Sequence, residues 1–275
     1  MKKVAVLLAM YNAEVFVENL LNSLLYQSYR DFDVYVHDDI SADNSRVIIK
    51  DYGKRAHFIH FLEDGTKRGA KGSFMWLLQN VDADYYMFCD QDDLWLPNKI
   101  RQSVEYIEKL EKEHPGRPVC VHTDLAVADA NYNIIAKSLW KQSRVKPNIL
   151  EDKDYIQVFN CVTGCTMIFN QQAKECSIPM NEAAPMHDFW VAYQTLVHGG
   201  VLSHLPYSTI LYCQHGNNEV GANDVGIKYI FKKFSDVTAV YKNNVEKYKQ
   251  MHQISGISWM RYLYCKITFE IRRLL

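Results

Sequence analysis

Three aspartates occupy four positions in "MFCDQDDLW": Asp90, Asp92 and Asp93, directly after an apolar run. Carboxylates crowded at a strand terminus repel one another unless a cation or hydrogen-bond donors compensate. Magnesium and manganese take one or two protein carboxylates and leave their other positions to water and phosphate oxygens, so a short acidic cluster suits a metal-diphosphate site. If the strand continues through the cluster, Asp90 and Asp92 project to one side and Asp93 begins the turn. The alternative for the cluster alone is an acidic loop that caps the helix following Pro97.

The elements that would hold these residues are legible as a periodic pattern. Val4 to Ala9 is a continuous apolar run, and Val17, Leu20, Leu21, Leu24 and Leu25 then repeat at helical spacing. Val34 to His37 ends in "DDISADNS", a cap for a helix carrying Val47 and Ile48. A short strand over 57–61, the loop "GTKRGAKGS" and a helix through Phe74 to Leu78 lead to the strand Tyr85 to Cys89 that delivers the aspartates. Alternating strands and helices predict a mainly parallel sheet covered on both faces, with ligands beyond the carboxyl ends of its strands. After a helix carrying Ile100, Val104 and Ile107, the pattern changes. Val119 to His122, a hairpin-like "ADANYN" and Cys161 to Phe169 read as further strands shaping a second subsite. One domain to about residue 220 and a helical tail over 221–275 is the economical division.

Composition sets the outer limits. The 275 residues are 48% hydrophobic, and 31 Lys and Arg balance 32 Asp and Glu, so nucleic acid is not an expected partner. The seven cysteines are odd in number and form no CxxC pair, which suits reduced thiols in the cytoplasm. The opening "MKKVAVLLAMYNAE" has the charge pattern of a signal peptide, but no small-residue cleavage site follows, and a first buried strand explains it.

"YNAE" after the first strand, "HDDISADNS" after the second and "DQDDLWLP" after a later one resemble, in order, the family 2 glycosyltransferases of the GT-A fold, in particular the rhamnosyltransferase-like enzymes of bacterial surface polysaccharides. The resemblance extends over about the first 220 residues. It implies an α/β fold, a Rossmann-like mixed sheet flanked by helices with a C-terminal helical extension. It also implies an inverting transfer from a UDP- or dTDP-sugar, assisted by Mn2+ or Mg2+, to a glycan hydroxyl in capsule or O-antigen synthesis. By the same resemblance Tyr11 stacks on the nucleotide base and Asp39 hydrogen-bonds it, Asp90 lies near the ribose, and Ala9 and Glu14 complete the nucleotide site; Lys71 or Arg68 is placed to approach a phosphate as a point charge, the alternative being a solvated charged face. Asp92 is the metal ligand, with His215 of "YCQHGNNEVGA" as a further one. Asp188 of "MHDFW", at the head of a helix starting near Pro185, is the catalytic base. Trp95, Thr163, Gly164 and His187 face the acceptor. The loop holding Lys67 and Ser73 departs from the family, whose members carry asparagines there, and His187 stands where relatives often have Glu.

Trp259, Leu263, Ile267 and Ile271 recur near helical spacing in the tail, edged by Arg261, Lys266, Arg272 and Arg273. Such a helix suits an anionic membrane surface, the body of the domain or a second copy of the chain. Membrane contact would fit an undecaprenyl-diphosphate-linked acceptor and a peripheral place on the cytoplasmic face of the inner membrane. Two rival classes are a sugar-nucleotide nucleotidyltransferase, which would open on a glycine-rich basic loop where "AMYNAE" stands, and a catalytically silent glycan- or nucleotide-binding module.

Overall fold

The computed structural model describes residues 2–214 and 237–274. In chain order these form β1 (Val4–Met10), α1 (Val17–Leu25), β2 (Phe32–Asp38), α2 (Ser45–Arg55), β3 (Ile59–Leu62), α3 (Gly69–Asn80), β4 (Tyr85–Asp90), β5 (Leu94–Trp95) and α4 (Lys99–Glu113). The second half contributes β6 (Val119–Ala128), β7 (Ile134–Ala136), short helices α5 (Leu139–Gln142) and α6 (Pro147–Leu150), β8 (Ile168–Asn170), α7 (Gln171–Cys176), α8 (His187–Val197) and β9 (Val201–Cys213). The tail forms α9 (Val237–Ser255) and α10 (Trp259–Leu274).

The strands make one sheet in the order β3-β2-β1-β4-β8-β6-β9-β5, with β7 paired to β6. Strands β1 to β4 are mutually parallel, as helix crossovers require. The sheet turns mixed where β8 runs antiparallel to both β4 and β6.

Alternation along β1 explains its unbroken apolar run. Val4, Val6, Leu8 and Met10 join one core with α1 and α4, whereas Ala5 and Leu7 join a second with α3 and α8. The tail belongs to this second core: Met251, Tyr262, Cys265 and Phe269 are buried in it. Of the residues read from the sequence as the tail's apolar stripe, Trp259 packs against this core, whereas Leu263, Ile267 and Ile271 are exposed.

Two expectations need correction. Cys161 to Phe169 is not a strand; only Ile168–Asn170 pairs, and residues 164–166 form a 3-10 turn. The Asn160 side chain takes both the N–H and the carbonyl of Val162, and the Gly164 N–H is turned to Asp188, so the backbone groups a ladder would use are engaged elsewhere. Secondly, β4 ends at Asp90 and residues 91–92 are a turn, so the strand alternation expected to align Asp90 with Asp92 does not operate.

Candidate active site

The loops after β1 and β2 interlock before they meet any ligand. Asn12, in a left-handed conformation at φ 48°, donates its N–H to Ser41 Oγ and accepts from the Ala42 N–H. The Ala13 N–H reaches Ser45 Oγ at 2.7 Å, and Asp43 accepts from the Glu14 N–H. Glu14 was expected at the nucleotide; its carboxylate instead accepts from the Asn44 backbone and side-chain amides and braces the two loops.

This frame presents Tyr11, 44% exposed, beside the carboxyl end of β1. Gln91 fixes its backbone by accepting from the Tyr11 N–H at 2.6 Å and donating to its carbonyl at 3.0 Å. The Lys67 ammonium lies 4.7 Å from the Tyr11 ring centroid, a cation–π arrangement. Asp39 is buried where α3 begins, and its carboxylate accepts from the N–H groups of Arg68 and Gly69. It thereby satisfies donors at a helix start that has no side-chain cap of its own.

A single cavity of about 1140 Å³ connects these residues with the second half of the chain. Ala9, Tyr11, Asp39, Lys67, Asp90 and Asp92 line it from the first half of the chain, and Thr163, Gly164, His187 and Asp188 line it from the second. Lys71, expected at the nucleotide, lines a separate smaller cavity and donates to the carbonyls of Glu182 and Ala184. Lys67, whose role the sequence left open, is the loop cation that reaches the main cavity. Trp95, expected on the acceptor side, is 2% exposed and packs in the first core, with the buried Lys99 ammonium 4.6 Å from its ring centroid. Burial draws that lysine down to about 8.

Asp92 is nearly buried at 8% exposure and lines the cavity. Ligand atoms of Asp90, Asp93 and Cys165 lie within 4.8 Å of one another. Both Asp93 oxygens are buried without a hydrogen bond of full geometry, and its carboxyl is pushed well above the usual range by burial, then by the charges of Asp90 and Asp92. Burial also raises the Cys165 thiol, so the ionisable oxygens, not the sulfur, suit a hard cation. The donor set fits a divalent ion of the magnesium or manganese type. His215, expected as a further ligand, lies outside the described residues.

Asp188 sits in the first turn of α8, as expected. Its carboxylate accepts from the N–H groups of Gly164, at 3.1 Å, and Phe189. Burial nevertheless dominates and raises it to about 6, a value suited to a base working near neutrality. His187 is held between Phe74, centroids 4.1 Å apart and stacked, and the edge-on ring of Phe88. Burial draws its imidazole down to about 3, so it is neutral, and it lines the cavity. A Cβ on Gly164 would lie 2.7 Å from His187 Nε2. Glycine at 164 is therefore demanded by the approach of the 3-10 turn to α8.

A mixed sheet of this order, with acidic residues at the end of its fourth strand, is the GT-A transferase fold. The family model for glycosyl transferase family 2 matches residues 5–176, and the chain belongs to that family; it is a glycosyltransferase. Among curated proteins it is 27% identical over 257 residues to the dTDP-rhamnosyl transferase RfbG of Shigella flexneri, an alignment covering 87% of this chain and 82% of that one. It is 24% identical over 165 residues to the Escherichia coli UDP-Glc:alpha-D-GlcNAc-diphosphoundecaprenol beta-1,3-glucosyltransferase WfgD, covering 60% of this chain and 58% of WfgD. Among solved structures, S. aureus TarS 1–349 in complex with UDP superposes with a TM-score of 0.59 at 19% identity, over 77% of this chain and 60% of that one. The mannosyltransferase PcManGT from Pyrobaculum calidifontis, in complex with GDP-Man and Mn2+, gives 0.60 at 16% identity, over 78% and 58%.

Proposed function

We propose that this glycosyltransferase moves a sugar, with inversion, from a UDP- or dTDP-sugar to a hydroxyl of a lipid-linked glycan in bacterial surface-polysaccharide synthesis. The observation that carries the reading is the presence in one cavity of a carboxyl raised to about 6, Asp188, the aspartate pair Asp90 and Asp92, and an exposed aromatic, Tyr11. RfbG and WfgD, by their names, use dTDP-linked and UDP-linked donors, which is the donor class proposed here.

Tyr11 offers a face for the base, and Asp39 retains lone pairs for an imide N–H beyond those given to α3. Asp90 and Asp92, with Asp93 behind them, would hold the divalent ion. Bound there, that ion offsets the negative charge that builds on a departing diphosphate. Asp188 takes the proton from the acceptor hydroxyl as the oxygen attacks the anomeric carbon. The Gly164 and Phe189 N–H groups fix which lone pairs it presents. A single displacement needs no covalent glycosyl-enzyme.

The exposed residues Met260, Leu263, Tyr264, Ile267 and Ile271 of α10 support docking on the cytoplasmic face of a membrane, where a lipid-linked acceptor resides. No helix among the described residues is long and apolar enough to cross one.

A thermal-shift screen of UDP- and dTDP-sugars with and without Mn2+ tests the donor class. Asp188→Asn should keep donor-induced stabilisation and lose transfer. Retention of transfer at the wild-type rate by that variant would remove Asp188 from the mechanism.

A further inference from the structure

The segment that leads into α8 is held from outside itself. The helix starts behind Met186, which offers no side-chain cap, and Pro185 before it has no N–H with which to anchor the backbone. Locally, Asn181 forms a turn: its side chain accepts from the Ala183 N–H and its carbonyl from the Ala184 N–H, both at 2.9 Å. The next three carbonyls are each taken by a side chain of another element. Lys71 Nζ, in the first turn of α3, receives the carbonyls of Glu182 at 3.4 Å and Ala184 at 3.1 Å. Gln250 Nε2, on α9, donates to the carbonyl between them, that of Ala183, at 2.9 Å. Gln250 borders both cavities, and its amide nitrogen is turned to Ala183.

The three elements so joined differ in task. The start of α3 is where Asp39 accepts from the Arg68 and Gly69 N–H groups, α8 carries Asp188, and α9 lies beyond the residues 5–176 that the family model matches. The clasped carbonyls stand four to six residues before Asp188, whose carboxylate accepts from the distant Gly164 N–H at 3.1 Å. A helix is stiff along its hydrogen-bonded turns, so a shift of the segment before α8 moves the head of the helix and the carboxylate with it. We propose that Lys71 and Gln250 are positioning residues: by clasping the carbonyls of residues 182–184 they hold the head of α8 so that Asp188 stays against Gly164, and through Gln250 the tail is part of the catalytic frame. The inference rests on the proposed role of Asp188 as the base and names what sets its place. It also gives Lys71 a task that does not involve the nucleotide.

Hydrogen exchange on the full chain tests it, because the Gly164 amide is protected by a bond that a correctly placed Asp188 supplies. Lys71→Met with Gln250→Glu removes both clasps at little change of size. In that variant the Gly164 amide should exchange roughly tenfold faster, while amides of β1 and β4 keep their wild-type rates. Turnover of dTDP-rhamnose or UDP-glucose should fall roughly tenfold to a hundredfold in kcat with the donor KM unchanged, and UDP should bind with Mn2+ at wild-type affinity. Lys71→Arg, which keeps N–H donors on a long stem, should restore most of what Lys71→Met loses. Lys249→Gln, an exposed side chain on the smaller cavity, should match wild type throughout. Should the double variant fail to fold, each single variant is read in the same way for a smaller effect. Wild-type protection of Gly164 in the folded variants, or a uniform loss of protection across the sheet with kcat unchanged, overturns the proposal, and an equal effect from Lys249→Gln overturns its assignment to the clasped carbonyls. Transfer retained by Asp188→Asn would instead overturn the reading of Asp188 as base, while the exchange of Gly164 still reports whether the clasp holds the carboxylate.

Discussion

Asp188 connects stability and activity through one proton, and the two effects have opposite signs. Its carboxyl is raised from 3.8 to about 6, so the native chain binds that proton more tightly than the unfolded chain does. The contribution to stability is fully present below the unfolded value and is lost as pH rises through about 6. The full rise corresponds to about 3 kcal/mol, of which about 2 kcal/mol falls between roughly pH 4.5 and pH 8. Activity runs the other way, because only the ionised carboxylate accepts a proton: about a tenth of the chains are competent at pH 5 and about nine-tenths at pH 7. Asp188→Asn removes the titration. Its amide oxygen can accept from either the Gly164 or the Phe189 N–H but not both, so one bond worth about 1 kcal/mol is lost at every pH. Urea unfolding should therefore show wild type losing about 2 kcal/mol of stability relative to the variant between roughly pH 4.5 and pH 8. Transfer by the variant should fall by roughly a hundredfold to ten-thousandfold. Parallel stability profiles for the two proteins, or wild-type kcat/KM undiminished at pH 5, would show that the carboxyl is not raised and is not the base.

Further perturbations probe the remaining residues in and around the cavity. Asp90→Asn and Asp92→Asn should each abolish the Mn2+-dependent part of the thermal shift given by UDP, and EDTA should do the same to wild type. Lys67→Gln removes the cation over Tyr11 and should raise the donor KM severalfold with a smaller change in kcat, whereas Lys71→Met should leave the donor KM unchanged. Tyr11→Ala should weaken UDP by roughly tenfold, a stacked ring contributing about 1–3 kcal/mol to a base, as read by calorimetry. Gly164→Ala drives a methyl into His187, which Phe74 and Phe88 keep from retreating, so a loss of about 1–3 kcal/mol in unfolding free energy and a fall in kcat are expected together.

The first half of the fold was readable because two periods coincide there with covalent order. Apolar runs such as Val4–Met10, too short for a buried helix and bounded by polar residues, suit strands covered on both faces, and the helices between them are spaced as parallel crossovers require. The second half follows no such rule. The stretch from Cys161 to Phe169 has a strand's composition, yet Asn160 and Asp188, one local and one 24 residues beyond Gly164, capture the backbone groups that pairing would need. No window of sequence contains that competition. The tail was legible in part: its helical period was correct, but two stripes share α10, and the one containing Tyr262, Cys265 and Phe269 is the buried one. Mixed aromatic, thiol and basic residues mask it from a count of leucines and isoleucines.

At the site, residue type was legible and direction was not. Tyr11, Asp39, Asp90, Asp92, Gly164, His187 and Asp188 all line the cavity, because each lies at a strand end or helix start whose place the topology fixes. The misplacements occur where one residue's register decides between two environments. In "GTKRGAKGS" three cations lie near the start of an apolar helix, and the helix begins at Gly69, with φ +66°. That start leaves Lys67 outside the helix, above Tyr11, and carries Lys71 one turn along toward the carbonyls of Glu182 and Ala184. Trp95 illustrates the same sensitivity. The turn at residues 91–92 resets the alternation, so β5 directs Trp95 into the core against Lys99 instead of toward the acceptor. Moving the acidic turn by one residue would exchange the faces of Leu94 and Trp95, since a strand has a period of two. An insertion of one glycine after Gln91 should therefore expose Trp95, seen as a red shift and loss of protection in its fluorescence, and should abolish Mn2+-dependent nucleotide binding in the same protein.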